Sequence, residues 1–117
     1  MGFDISEHVS DGVRVMELSG EMTGSDTSGR LRSRLKEVLA NGDTQLVIDL
    51  ARVSFVDSAG LGALVAGLTT ARNQGGNLKL AKVARQFREQ LIITKLVTVF
   101  EVYDTVDEAL KAFAASS

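Results

Sequence analysis

The run Phe55-Val56-Asp57-Ser58-Ala59-Gly60-Leu61-Gly62-Ala63-Leu64 sets a carboxylate beside a hydroxyl, then places two glycines where a helix should begin. A serine here can cap the helix, act as a nucleophile or accept a phosphoryl group. As N-cap, Ser58 would accept hydrogen bonds from first-turn amides, and Asp57 would add negative charge at the positive end of the helix dipole. Each glycine inside a helix costs about 1 kcal/mol relative to alanine, so Gly60 and Gly62 call for a further reason, such as the close approach of another backbone or a ligand.

Hydrolytic chemistry lacks its parts. A Gly-x-Ser-x-Gly elbow is absent, because Ser58 is flanked by Val56 and Gly60, and the single histidine, His8, reads as a surface residue of an early hairpin. Gly60-Leu61-Gly62-Ala63-Leu64-Val65 begins like a dinucleotide loop but has Val65 where a third small residue is required, and no Gly-Lys-Ser/Thr phosphate loop occurs. No metal cluster or general base stands beside Ser58 in the sequence, so the chain reads as a non-enzyme without a cofactor.

Winding residues 59–72 as a helix gathers Leu61, Leu64, Val65 and Leu68 within about 100°, the width of a core-facing stripe. The opposite arc holds Ala59, Gly62, Ala63, Ala66 and Thr70, where a solvated face would carry Lys, Glu and Gln. Such a smooth, weakly apolar strip suits docking of a partner; its plainer reading is packing against a neighbouring helix.

The elements that position this segment follow from patterning. Phe3–Val9 and Val13–Leu18 read as strands joined through Ser10-Asp11-Gly12, where Asp-Gly signals a tight hairpin turn. Leu31, Leu35, Val38 and Leu39 recur at helical spacing, in a helix started by Ser25 or Asp26 and stopped by Asn41-Gly42. Leu46–Leu50 is a nearly continuous apolar run, the mark of a strand covered on both faces. The Ala59–Arg72 helix closes at Asn73-Gln74-Gly75-Gly76, and Leu78–Ala81 resumes as a strand. Val83, Phe87, Leu91 and Ile92 indicate a third helix and Val99–Tyr103 a last strand. Thr105 and Glu108 form a capping box for a final helix through Ala109, Leu110 and Phe113, with Ala114–Ser117 fraying. The order predicts an α/β fold, a mixed β-sheet of about five strands with about four α-helices packed on it, in one domain over residues 1–117.

Composition narrows the class. The chain has 117 residues, 44% hydrophobic and 24% charged, the balance of an ordinary globular domain. Its 13 Lys and Arg against 15 Asp and Glu leave a net charge of -2, which argues against direct nucleic-acid binding. Cysteine is absent, which excludes disulfides and thiolate chemistry. No stretch approaches the roughly 20 apolar residues of a membrane span, so a cytoplasmic location without membrane contact is expected.

Leu46-Val47-Ile48-Asp49-Leu50 followed by Phe55-Val56-Asp57-Ser58-Ala59-Gly60-Leu61-Gly62 resembles the signature of the STAS family, shared by sulfate transporters and anti-sigma-factor antagonists. Gly20-Glu21-Met22, Asn73-Gln74-Gly75-Gly76 and Phe100–Asp104 with Glu108-Ala109-Leu110 extend the resemblance over almost the whole chain. The resemblance implies a bacterial anti-sigma-factor antagonist. Its partner would be an anti-sigma-factor serine kinase that holds the ATP, the phosphorylated residue would be Ser58, and a separate phosphatase would reactivate it. Partner contacts would fall on Thr23, Asp57, Ser58, Ala59, Gly60, Gly62, Ala63 and Ala66. Thr23 stands where the family often has aspartate, with Asp26 a nearby candidate to replace it. Many members have a second serine or threonine where Ala59 stands, which leaves Ser58 the single hydroxyl of the motif. STAS domains also serve as non-catalytic subunits of lipid-transport complexes or as parts of stress-sensing assemblies; a transport subunit would copurify with a membrane complex and ignore the state of Ser58.

Overall fold

A computed structural model describes residues 2–116, with the side chain of Ser116 excluded. The hairpin opens as read: β1 (Asp4–Ser10) pairs antiparallel with β2 (Val13–Met22). Asp11 and Gly12 both take left-handed conformations, φ 53° and 78°, as a two-residue primed turn requires. β2 runs on past Leu18 through Gly20-Glu21-Met22, longer than its apolar alternation indicates.

The chain then alternates helix and strand: α1 (Gly24–Ala40), β3 (Gln45–Val56), α2 (Ser58–Asn73), β4 (Asn77–Ala81), α3 (Arg85–Ile93), a 3₁₀ turn (Leu96–Thr98), β5 (Glu101–Tyr103) and α4 (Val106–Ser116). The strands form one five-stranded sheet in the order β1-β2-β3-β4-β5, with the pairs from β2 to β5 parallel. This is the mixed sheet with four helices that the sequence predicts.

Both sheet faces are covered. Met16, Leu18, Leu46, Ile48, Leu50, Leu78 and Leu80 join the apolar sides of α1, α2 and α3 in the main core. Val13, Val15, Val47 and Ala81 form a smaller core with Ala109 and Phe113 of α4 on the reverse face. Leu46, Ile48 and Leu50 therefore enter the main core and Val47 the smaller one, which is why the run is apolar at every position but Asp49.

Several boundaries differ from the sequence reading. α1 starts at Gly24 and not at Ser25 or Asp26, with Thr23 as N-cap. α3 starts at Arg85, so Val83 precedes it, and Ile92 is exposed on it while Phe87 and Leu91 are buried. The last strand is confined to Glu101–Tyr103, because the Val99 and Phe100 amides both donate back to Leu96 O at the end of the Leu96–Thr98 3₁₀ turn. The Glu108 amide donates to Thr105 Oγ1 at 3.0 Å as the capping box expects, but α4 continues through Ala114 instead of fraying there. The fraying expected of Ser117 lies outside the described residues.

Candidate functional site

The site lies where parallel β2 and β3 end side by side. Met22 is registered with Val56, and the Asp57 amide donates to Met22 O at 2.9 Å. Two register shifts earlier in β2 bring those ends level. The strands therefore deliver Thr23 and Asp57 to adjacent positions, and a helix starts directly after each.

Asp57, not Ser58, is the N-cap of α2, and it serves both helices. Its Oδ1 accepts from the Gly60 amide and its Oδ2 from the Gly24 amide, each at 2.8 Å. Thr23, the formal N-cap of α1, makes no side-chain cap hydrogen bond. The Gly60 amide, then the Gly24 amide, hold the Asp57 carboxyl below the ordinary aspartate range, so the group is an anion. Gly24 takes φ +83°, a conformation costly for any side chain, so the chain turns into α1 directly after the amide that Asp57 holds.

With the cap supplied by Asp57, Ser58 becomes the first helical residue. Its side chain is exposed and forms no hydrogen bond among the described residues. Ala59 beside it is also exposed.

The two glycines have different reasons. A Cβ on Gly60 would lie 3.1 Å from Val56 Cγ1 and 3.2 Å from Met22 Cβ, so glycine lets the helix start close over the strand ends. Gly60 is buried and offers no docking surface, contrary to the sequence reading. A Cβ on Gly62 would meet only Arg32 Nη2, at 3.7 Å, which is ordinary contact.

The small-residue strip also divides. Ala63 is fully buried within the core that α1 and α2 share, so the plainer reading of the strip holds for that residue. Gly62 and Ala66 are half-buried and Thr70 is exposed. Of the expected contact residues, Ser58, Ala59, Gly62 and Ala66 reach the surface, Thr23 and Asp57 are half-buried beside them, and Gly60 and Ala63 are interior. Asp26 is exposed in the first turn of α1.

Sequence reasoning missed Gly24 as the second ligand of Asp57, and missed Phe55 as a surface residue. Phe55 is 53% exposed and lines a hollow of about 270 Å³ with Val53, Phe87 and Gln90. The adjacency of Phe55 and Val56 in a strand could have revealed it, since neighbouring strand residues face opposite ways.

Other chemistry is remote or absent. His8 is exposed on β1, 3.9 Å from Glu17. Among the described residues no cluster of His, Cys, Asp or Glu could hold a metal ion, and no helix is long and apolar enough to cross a membrane.

The STAS domain family model matches residues 4–109. The anti-sigma-F factor antagonist RsfB of Mycobacterium tuberculosis is 33% identical over 108 residues, 91% of this chain and 84% of that protein. A crystal structure of an anti-sigma factor antagonist from Mycobacterium paratuberculosis is similar with a TM-score of 0.86 at 30% identity, covering 97% of this chain and 95% of that one. The Bacillus cell-fate determinant SpoIIAA in its phosphorylated form shares the fold, with a TM-score of 0.74 at 20% identity over 95% of this chain and 98% of that one.

Proposed function

Because the chain belongs to the STAS domain family, we propose that it is a cytoplasmic anti-sigma-factor antagonist, a binding protein and not an enzyme, switched by phosphorylation of Ser58. Unphosphorylated, it binds an anti-sigma-factor kinase and thereby frees the sigma factor that kinase was holding. The kinase brings the ATP and the base that takes the Ser58 proton; it transfers the γ-phosphoryl group to Ser58 Oγ, and ADP leaves. A separate phosphatase restores the hydroxyl.

One observation carries this reading: Ser58 is exposed and uncommitted at the start of α2 because its neighbour Asp57 does the capping. A cap serine would be tied to its own helix, whereas this hydroxyl is available to a partner's active site. Asp57, held by two amides, is an acceptor with no role as a base toward Ser58.

The consequence of modification follows from charge. A phosphate adds about -1.5 to -2 charges beside the Asp57 anion, at a surface otherwise made of Ala59, Gly62 and Ala66. A partner that packs on small uncharged side chains then meets a concentrated anion and leaves. The free protein stays folded, because first-turn amides of a helix favour a phosphate there.

The test is a pull-down with wild type, Ser58→Ala and Ser58→Asp. The alanine variant keeps the kinase bound when ATP is present, and the aspartate variant binds weakly. Equal recovery by all three removes Ser58 from the mechanism. Association with a membrane complex, indifferent to Ser58, would favour a transport subunit instead.

A further inference from the structure

A shallow groove of about 410 Å³ runs between α1 and α2; Ala40 and Ala66 give its accessible apolar surface, and Leu35, Leu39, Ala63 and Gly67 lie buried beneath it. At Gly67 the packing below the floor is tight: a Cβ would fall 2.9 Å from Leu35 Cδ1 and 3.2 Å from Leu78 Cδ1. On the α1 rim stand Arg32 and Lys36, both exposed and neither in an ion pair or hydrogen bond among the described residues. The polar groups lining the other side, Thr70 and Gln74, are neutral, and no carboxylate lines the groove.

Like charges four residues apart on a helix repel, so Arg32 and Lys36 add nothing to α1 by themselves. In a chain of net charge -2 they make a local patch of opposite sign along an apolar slot. Arg32 reaches to Gly62, one helical turn after Ser58, so the groove continues the surface around that hydroxyl.

We propose that this groove receives an acidic, apolar segment of the anti-sigma kinase, an apolar side chain seating over Ala66 while carboxylates meet Arg32 and Lys36. The identity of the partner rests on the functional reading above; the sign of its charge rests on the rim. The arrangement deepens the switch, since a phosphate on Ser58, one helical turn from the Gly62 that Arg32 reaches, repels the incoming carboxylates.

The test uses the full chain and the kinase that phosphorylates Ser58 in the presence of ATP. The double variant Arg32→Glu with Lys36→Glu should stay folded by circular dichroism, because both side chains are exposed, and should bind that kinase about tenfold more weakly at low salt or worse. High salt should narrow the difference by screening. A photo-crosslinker at Thr70 should join a kinase peptide rich in Asp or Glu. Phosphorylation of Ser58 with unchanged affinity of the double variant overturns the docking proposal alone. So does a crosslink to a basic peptide, or a variant whose defect is in self-association and not in kinase binding. If no kinase modifies Ser58, the functional reading and this extension fall together.

Discussion

The Gly24 amide lies 2.8 Å from Asp57 Oδ2, while the other oxygen of the same carboxylate holds the amide of Gly60. One side chain thus joins the starts of α1 and α2, and through them fixes Thr23 beside Ser58. The same bonds relieve Ser58 of capping and leave its hydroxyl in solvent.

Removing that carboxylate should loosen both helix starts at once. Asp57→Ala is expected to lower the melting temperature more than Asp57→Asn, whose single carbonyl oxygen can still serve one of the two amides. Hydrogen exchange at Gly24 and Gly60 should accelerate together in the alanine variant. Acceleration at Gly60 alone would show that the bridge to α1 is not formed in solution.

Replacing the two glycines by alanine should have opposite effects. Gly60→Ala forces a methyl against Val56 and Met22 and should cost about 1–3 kcal/mol. Gly62→Ala meets only ordinary contact and should stabilise by up to about 1 kcal/mol through helix propensity. Chemical denaturation of the two variants checks the sign of each.

Lys79 gives an asymmetric pair of mutations. Only 3% exposed, its ammonium donates to Glu101 Oε1 at 2.5 Å and sits 4.7 Å over the Phe113 ring. Glu101→Ala leaves a buried cation without its anion and should cost about 1–3 kcal/mol. Lys79→Met removes the charge while keeping an unbranched stem and should cost less. The order of the two denaturation midpoints decides whether burial of the lysine depends on its partner.

Acid should dissolve a cluster at the opposite edge of the sheet. Glu7, bonded by Arg34 and Arg14, is held below the ordinary glutamate range chiefly by the Arg34 hydrogen bond. A depressed carboxylate stabilises the fold fully above its unfolded value, about 4.5, and loses that contribution as pH falls through its lower folded value. Glu7→Gln should therefore be less stable than wild type at neutral pH and converge with it in acid. A stability difference that stays constant with pH would contradict the pairing.

Patterning made the sheet and its helices legible because each element buries a face whose period is written in its residues. The covered run Leu46–Leu50, the Asp11-Gly12 turn and the Leu61, Leu64, Leu68 stripe all follow from local sequence. The site was legible in its residues but not in its hydrogen bonds. Asp57 and Ser58 are both good caps, and only where β3 ends decides between them. Gly24 enters through the register of β2 against β3, which no local window contains. The exposed part of the Ala59–Thr70 strip depends on where α1 lies, so Ala63 and Ala66 look equivalent on a helical wheel although one is sealed and the other lines a groove. Lys79 alternates with Leu78 and Leu80 in β4, and it is buried because α4 covers the reverse face, which no local window shows.

The most direct measurement is the dissociation constant of the purified kinase for this chain carrying serine or phosphoserine at position 58, with circular dichroism of both forms. Both forms should be equally folded, with the phosphorylated one bound at least about tenfold more weakly, a loss of about 1.4 kcal/mol. Equal affinities, or a phosphorylated chain that releases its partner only because it has unfolded, would contradict the switch.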